Sequence, residues 1–450
     1  MKIALDKEGK AYQYNELVLE NVENEIVSNC FQDMSMKERL LKAKSMIMVY
    51  KPTNKIMFEL NLIHAQHFYP LSIVDYANTM KNLLLGKIDS LPILSLDSHD
   101  YNFCDFNCKD CLAVDTRTWA AKELGFTNYD PEEYEKCLTE IARYSKKRGC
   151  DSIRFEMSGE GNPDMYPHRA RIIKFAKEKL NMKCVYISSG SRLNEETIDA
   201  LAKYAYYVRI SLPGLNNKAY DIYSNQKGTD KNKFTFDDAL ELMKKLVQKR
   251  KEYNREGELV IGARTCMRPE NEGSYLSAAK AMGEIGIDSF QIVKILIPMG
   301  ENIEKYKLRK KTINELETLN ANYQKYNLMH VQIPYKLDYI YYDRKLEKSE
   351  KPSHCYSSYL SPILYGPHLV VCTHWEKIKD VEGSHYGKIS GKKNQLEDIM
   401  FNEKACRIRD ALPNKCSSCC SIYDNLMMEM VKTQLLMVND IENVEFLLTY

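Results

Sequence analysis

Cys104, Cys108 and Cys111 fall within the stretch FCDFNCKDC, spaced Cys-x3-Cys-x2-Cys. Thiolates this close suit soft-metal chemistry. The spacing alone leaves three readings open. One is an iron–sulfur cube held by three thiolates, its fourth iron left for a ligand. A second is zinc, which in structural sites closes with four ligands; no Cys or His follows Cys111 before Cys137. The third is coincidence. A disulfide framework is disfavoured, because 14 cysteines in 450 residues are not dense. The N-terminus MKIALDKEGKAYQYNE alternates charge and lacks the apolar segment of a signal peptide. The thiols are therefore expected to stay reduced, in a cytoplasmic protein, where clustered Cys reads as metal or catalysis.

Composition narrows the partners. Hydrophobic residues are 44% and charged residues 28%, ordinary for a globular protein. With 64 basic and 62 acidic residues the formal charge is +2, so neither nucleic acid nor an anionic membrane is expected as a partner. No apolar run reaches the about 18 residues of a membrane span. The stretch SPILYGPHLVV is interrupted by Pro, Gly and His.

The elements that would position the cysteines begin near residue 93. Strands are expected at 93–96, 152–157, 183–188, 207–212, 259–266 and 289–295. Helices are expected at 131–146, 167–180, 195–204, 236–250 and 274–285. Strand–helix repetition argues for a parallel sheet, either open and doubly wound or a partial barrel. Neither a Gly-x-Gly-x-x-Gly turn nor a P-loop is present, which disfavours a nucleotide-binding domain. Residues 1–90 read as a small mixed N-terminal domain, 91–305 as the core, and 306–450 as a Cys-rich extension.

In parallel barrels chemistry sits at the C-terminal ends of the strands. The cysteine triplet follows the first strand, SGEGNP (158–163) the second and SSGSRL (188–193) the third. Three polar or Gly-containing loops thus share one rim. Arg154, Glu156 and Ser158 lie on one face of the second strand. Arg209 and Ser211 share a face of the fourth, and Gly262, Arg264 and Cys266 a face of the fifth. Helices should cover the apolar face, so the polar set turns inward. Either it lines a substrate cavity, or it forms buried ion pairs such as Arg154 with Glu156.

These motifs resemble the radical S-adenosylmethionine (SAM) family over about residues 93–300. The resemblance implies a partial (β/α)6 TIM-like barrel. Cys104, Cys108 and Cys111 would bind a [4Fe–4S] cube whose open iron is chelated by SAM. Reductive cleavage of SAM would give a 5′-deoxyadenosyl radical that takes a hydrogen atom from the substrate. By the same resemblance Gly159 and Glu160 hold the SAM amine, and Ser188 and Ser189 lie near its ribose. Ser211 and Arg264 meet its carboxylate. Where the family has an aromatic residue before the third cysteine, this chain has Asp110; Phe103 or Phe106 would substitute.

A second concentration of cysteines lies in the C-terminal third. Cys355, Cys372 and a late Cys416-x2-Cys419 resemble the SPASM or twitch extensions of the same family, and YGKI resembles a segment of that region. This implies one auxiliary [4Fe–4S] cluster on Cys355, Cys372, Cys416 and Cys419, with Cys420 as a substitute for Cys419. A four-cysteine zinc site would use the same ligands. Cys30, Cys137, Cys150 and Cys184 are expected to be small buried hydrophobes. Cys266 faces the cavity, either as packing or as a hydrogen-atom donor. Lys294 ends the sixth strand near the rim, and His374 follows Cys372.

The expected activity is an oxidation or epimerisation of a small polar substrate such as a sugar or nucleoside, with an external electron donor such as flavodoxin or ferredoxin. The alternative is a ribosomal peptide maturase whose residues 1–90 hold a leader peptide. A non-catalytic zinc or iron–sulfur protein is the reading of another class.

Overall fold

The computed structural model describes residues 79, 81–109, 111, 113–226, 233–293, 295–296, 307–333, 341–342, 355–371, 385–392 and 394–412. Most of the expected N-terminal domain lies outside these residues, as do Cys30, Asp110, Lys294, Cys372, His374, Cys416, Cys419 and Cys420.

Strand and helix alternate as β1 (Ser95–His99), α1 (Ala113–Glu123), α2 (Pro131–Lys146), β2 (Arg154–Met157), α3 (Arg169–Glu178), β3 (Lys183–Ser188), α4 (Glu195–Tyr204) and β4 (Ala205–Leu212). Next come α5 (Asn217–Ser224), α6 (Phe236–Glu252), β5 (Val260–Cys266), α7 (Tyr275–Ile285), β6 (Ser289–Val293), β7 (Ile295–Leu296), α8 (Lys310–Asn322), β8 (His330–Gln332) and β9 (Tyr341–Tyr342). The chain then forms α9 (Ser357–Leu360), β10 (Ile363–Tyr365), β11 (His368–Val370), β12 (His385–Lys388), α10 (Gln395–Phe401) and α11 (Glu403–Asp410).

Local chemistry sets the helix starts. Asp130 caps α2 by accepting from the backbone N–H groups of Glu132 and Glu133, with Pro131 at the first helical position. Thr235 and Asp238 form a reciprocal capping box at α6.

The strands form one 10-stranded sheet in the order β12-β11-β10-β1-β2-β3-β4-β5-β6-β8, and β7 pairs with β9 apart from it. β1 to β6, β8 and β10 run parallel to one another, while β11 and β12 are antiparallel additions beside β10. Among the described residues the two ends of the sheet do not pair, so the fold is an open, partial TIM-like α/β barrel. Helices α2, α3, α4, α6, α7 and α8 pack one against the next. The core lies between them and the outer side chains of the sheet, including Leu96, Phe155, Tyr186, Ile210, Ile261 and Phe290. The opposite side chains of β2, β4 and β5, among them Arg154, Glu156, Arg209, Ser211 and Arg264, are half-buried.

Two features depart from the sequence reading. The first strand runs from Ser95 to His99 rather than over 93–96. Asp, Ser and His have low strand propensity, yet Asp97 pairs in register with Glu156 on one side and Ile363 on the other. Two ladders override that propensity. The second feature is the C-terminal segment. SPILYGPHLVV folds as the β10–β11 hairpin, and β10 continues the core sheet beside β1.

Arg169 on α3 ties the exits of β1 and β2 together. Its guanidinium pairs with both carboxylate oxygens of Asp100 and donates to the Pro163 carbonyl. Both charged side chains are 1% exposed. Such a pair is costly to break from one side, because the remaining charge stays buried. Arg169→Met is expected to lower unfolding free energy by about 3 to 5 kcal/mol in denaturant titration. Adding Asp100→Asn should recover much of that loss; an unchanged midpoint for Arg169→Met would refute the assignment.

Candidate active site

The cysteine loop leaves β1 and is held on both sides. Asn102 donates through its backbone N–H to the Thr127 carbonyl at 2.9 Å and through Nδ2 to the Arg117 carbonyl at 2.8 Å. Farther along, the backbone N–H of Asn107 donates to the Ser224 carbonyl and that of Lys109 to the Tyr223 carbonyl, at the C-terminal end of α5. Cys104, Cys108 and Cys111 are each half-buried. Burial pushes the Cys108 thiol up to about 12, and the neighbouring Cys111 and Cys104 add to that. Burial also raises the Cys104 thiol. The three sulfurs thus sense one another.

Two cations oppose these shifts. Arg117 favours the charged form of Cys104, and Arg268 that of Cys108. Arg117 Nη1 lies 3.8 Å from Cys111 Sγ. Among the described residues no three His, Cys, Asp or Glu side chains converge as ligands of a single ion do. A cube asks for a wider spread, since each thiolate takes a different iron. Three neighbouring thiols, with Cys104 and Cys108 pushed toward the neutral form by burial and with cations beside them, suit a group whose own charge ionises its ligands.

The loop after β2 is joined to this one. Gly161 passes so close that a Cβ there would lie 2.3 Å from the Tyr101 carbonyl oxygen and 2.6 Å from that of Phe103. The backbone N–H of Asn162 donates to the Phe103 carbonyl at 2.7 Å. Arg117 Nη1 donates to the Glu160 carbonyl at 2.6 Å, so one guanidinium touches both loops. Asp105, inside the cysteine loop, accepts from Asn162 Nδ2, from Ser191 Oγ and from Arg192 Nε. That brings in the loop after β3.

Below this rim lie titratable groups on the inner face. Ser158 Oγ donates to Asp97 at 2.6 Å, and His99 Nε2 lies 3.3 Å from the other Asp97 oxygen. The His99 Nδ1 is buried, 3.9 Å from Glu160 Oε1. Burial alone would lower the His99 pKa, but the charges of Asp97, Glu160 and Asp100 together raise it. Burial would raise the Asp97 pKa, yet His99, Ser158 and Arg154 hold it below the usual value. Glu156 is ion-paired with Arg154. Burial still pushes its carboxyl up, against the pull of Arg154 and Arg209. The Arg154–Glu156 ion pair of the sequence reading therefore exists, half-buried within a larger charged face.

The remaining residues singled out from sequence are distributed as follows. Gly159 adopts a left-handed backbone, φ +79, which a side chain would strain. The Glu160 side chain is 13% exposed at the rim. Ser188 is buried, and its Oγ accepts from the Gly190 N–H. Ser189 Oγ is 3.0 Å from Ser191 Oγ. Ser211 and Arg264 are register partners on the inner face. Cys266 is half-buried at the end of β5, where its carbonyl accepts from Asn271 Nδ2. Cys355 is half-buried ahead of β10, with Sγ 3.5 Å from Ser357 Oγ. Cys137 and Cys184 are buried and Cys150 is half-buried. Phe106 packs in the core, whereas Phe103 is 51% exposed. Asp97, His99, Arg117 and Arg268 were not singled out from sequence. The alternation Asp-x-His immediately before the cysteine loop was the available signal for the first two.

Residues 99–282 match the family model of the radical SAM superfamily. No curated protein matches the chain. Among solved structures the chain resembles Streptococcus suis SuiB bound to precursor peptide SuiA, at 15% identity and TM-score 0.50, covering 77% of this chain and 73% of that one. It also resembles the same protein bound to S-adenosylmethionine, at 17% identity and TM-score 0.49, with the same coverage of 77% and 73%. For anSMEcpe with bound AdoMet the identity is 12%, the TM-score 0.46, and the coverage 78% and 100%. At such identities the likeness is one of fold. The match covers residues 99–282, less than half of the chain, and the superfamily it describes is the class that takes a [4Fe–4S] cluster and S-adenosylmethionine.

Two outcomes follow from this geometry. Gly161→Ala should force the two loops apart, costing about 1 to 3 kcal/mol in thermal or denaturant unfolding and reducing iron retained after reconstitution. Wild-type iron retention and stability in that variant would refute the close contact. The raised pKa of His99 means its partners stabilise the fold fully below pH 6.5, and that contribution is lost as pH rises through the folded value. Unfolding free energy should fall over that range in the wild type and lose this slope in His99→Gln. Identical pH profiles would contradict the pairing.

Proposed function

We propose that the chain is a radical SAM enzyme that oxidises or epimerises a small polar substrate, with residues 91–305 as its catalytic core. The observation that carries this reading is the joining of the cysteine loop to the Gly159–Glu160 loop above a charged inner face. Cys104, Cys108 and Cys111 would hold the cluster. Together with bound S-adenosylmethionine, the reduced cluster supplies a 5′-deoxyadenosyl radical able to take a hydrogen atom from the substrate. Glu160 would accept hydrogen bonds from the SAM amine, and Arg264 with Ser211 would face its carboxylate. Ser189, with Ser188 behind it, would border the ribose. The exposed ring of Phe103 offers an apolar face for the adenine in place of the aromatic residue absent at Asp110. Arg117 would position the cluster loop against the SAM loop. Cys266 could return a hydrogen atom in an epimerisation.

Cys355, Cys372, Cys416 and Cys419, or Cys420 in place of Cys419, would hold an auxiliary [4Fe–4S] cluster in residues 306–450. That cluster would accept an electron in a net oxidation. Flavodoxin or ferredoxin would serve as the external donor.

A second reading is a ribosomal peptide maturase, with residues 1–90 holding a leader peptide. It draws on the fold shared with SuiB, a protein solved with its precursor peptide. A pull-down of candidate leader peptides by the full chain, lost on removing residues 1–90, would favour it.

Anaerobically reconstituted protein is expected to hold about eight irons, from two cubes, and about four in the Cys104, Cys108, Cys111 to Ala triple variant. With reductant and S-adenosylmethionine the wild type should yield 5′-deoxyadenosine by mass spectrometry and the triple variant none. Zinc without labile sulfide, and no 5′-deoxyadenosine, would instead identify a non-catalytic metal protein.

A further inference from the structure

Among the described residues the inner face holds more positive charge than its own carboxylates neutralise. Glu156 pairs with Arg154, and Asp97 with His99. Arg209 and Arg264 remain, on adjacent strands whose register sets Arg209 opposite Gly262 and Ser211 opposite Arg264. Among the described residues Arg209 forms no ion pair and donates no hydrogen bond, and its Nε is buried without a partner. Glu156 is near enough to favour the Arg209 charge, but its own ion pair is with Arg154. Burial, and then the charge of Arg264, push Arg209 down to about 10. A half-buried cation with a like charge beside it is an expensive feature unless something anionic arrives.

The surroundings say where that anion would sit. Gly262, the register partner of Arg209, has no side chain, and the Tyr207 ring takes the space one would occupy: a Cβ there would lie 2.9 Å from the Tyr207 hydroxyl. Tyr207 packs with Val185 and Val260 as a small floor beside Arg209. Gln291 Nε2 donates to the Tyr207 hydroxyl at 3.4 Å, which fixes the ring. Arg264 and Ser211 stand one inward position nearer the rim, where the proposed SAM carboxylate lies. Arg209 is the deeper cation and has no assigned ligand.

We infer that Arg209 receives an anionic oxygen group of the substrate, a carboxylate or a phosphate, beside the Tyr207 floor. This rests on the proposed reading of the inner face as the substrate chamber. The planar fork of an arginine pairs with either group through two parallel hydrogen bonds.

The test uses the full chain, reconstituted and saturated with S-adenosylmethionine so that the Arg264 region is occupied. Inorganic phosphate and acetate are titrated separately by calorimetry into wild type, Arg209→Gln and Arg209→Lys. One of the two oxyanions is expected to bind the wild type and to bind Arg209→Gln about tenfold or more weakly, with Arg209→Lys between them. The affinity for S-adenosylmethionine should be unchanged in all three. Preference for phosphate points to a phosphorylated substrate, and preference for acetate to a carboxylate. Equal oxyanion affinity in wild type and Arg209→Gln, or no binding of either, overturns the inference. Should Arg209→Gln fail to fold, phenylglyoxal labelling of wild-type Arg209, read by peptide mass, decides the matter. Protection by phosphate or acetate supports the site, and unaltered labelling overturns it. The readout is binding, so a protein that binds at Arg209 but cannot cleave S-adenosylmethionine refutes the enzyme reading alone.

Discussion

The close passage of Gly161 beneath the carbonyls of Tyr101 and Phe103 is the constraint on which the site depends. With no side chain at 161, the loop after β2 can lie against the cysteine loop. Asn162 then donates from its backbone to Phe103 and from its side chain to Asp105, and Asp105 collects Ser191 and Arg192 from the next loop. Arg117 spans Cys111 and the Glu160 carbonyl. Three βα loops are thus joined by hydrogen bonds. In the proposed function these contacts would support the cluster loop against the cofactor loop, since geometry at a reactive centre is set by supporting contacts as much as by ligands.

The charged inner face depends on the same arrangement. Asp97 and His99 stand at the end of β1, under Glu160, and His99 lies against the Tyr365 ring of β10 at a centroid distance of 4.3 Å. A strand from the C-terminal part of the chain therefore helps to bury His99, while Asp97 stays partly exposed. In that setting, mutual charge outweighs burial for Asp97 and His99, while burial dominates for Glu156 and Arg209. The difference is local. Asp97 has a hydrogen-bonded cation and a hydroxyl, whereas Arg209 has another cation for a neighbour. Paired charge stabilises this face, and the unpaired charge of Arg209 is what the proposed anion site rests on.

Much of this was legible in the residues. The helix periods over 131–146 and 195–204 match α2 and α4, and the alternation of Arg154, Phe155, Glu156 and Met157 reads directly as a strand with one covered face. Strand β3 coincides with residues 183–188. The first strand was placed two residues too early at its start, since local preference favours Ile93 and Leu94 over Asp97 and His99. Pairing on both sides of β1 decides otherwise. Arg117 carried no local signal at all. It lies mid-helix, six residues past Cys111, and becomes informative only when the fold brings the Glu160 carbonyl to it.

The sequence by itself determined the face each strand residue occupies, because the two-residue period of a strand is a local property. It also determined the helix boundaries where Asp130 and Thr235 cap. Tertiary structure alone decided which charges find partners. Arg154 meets Glu156 two residues away, but Asp100 waits for Arg169, His99 for Glu160 and Tyr365, and Arg209 meets no described carboxylate of its own in a hydrogen bond. Those pairings depend on distances across strands and layers, and no one-dimensional pattern contains them.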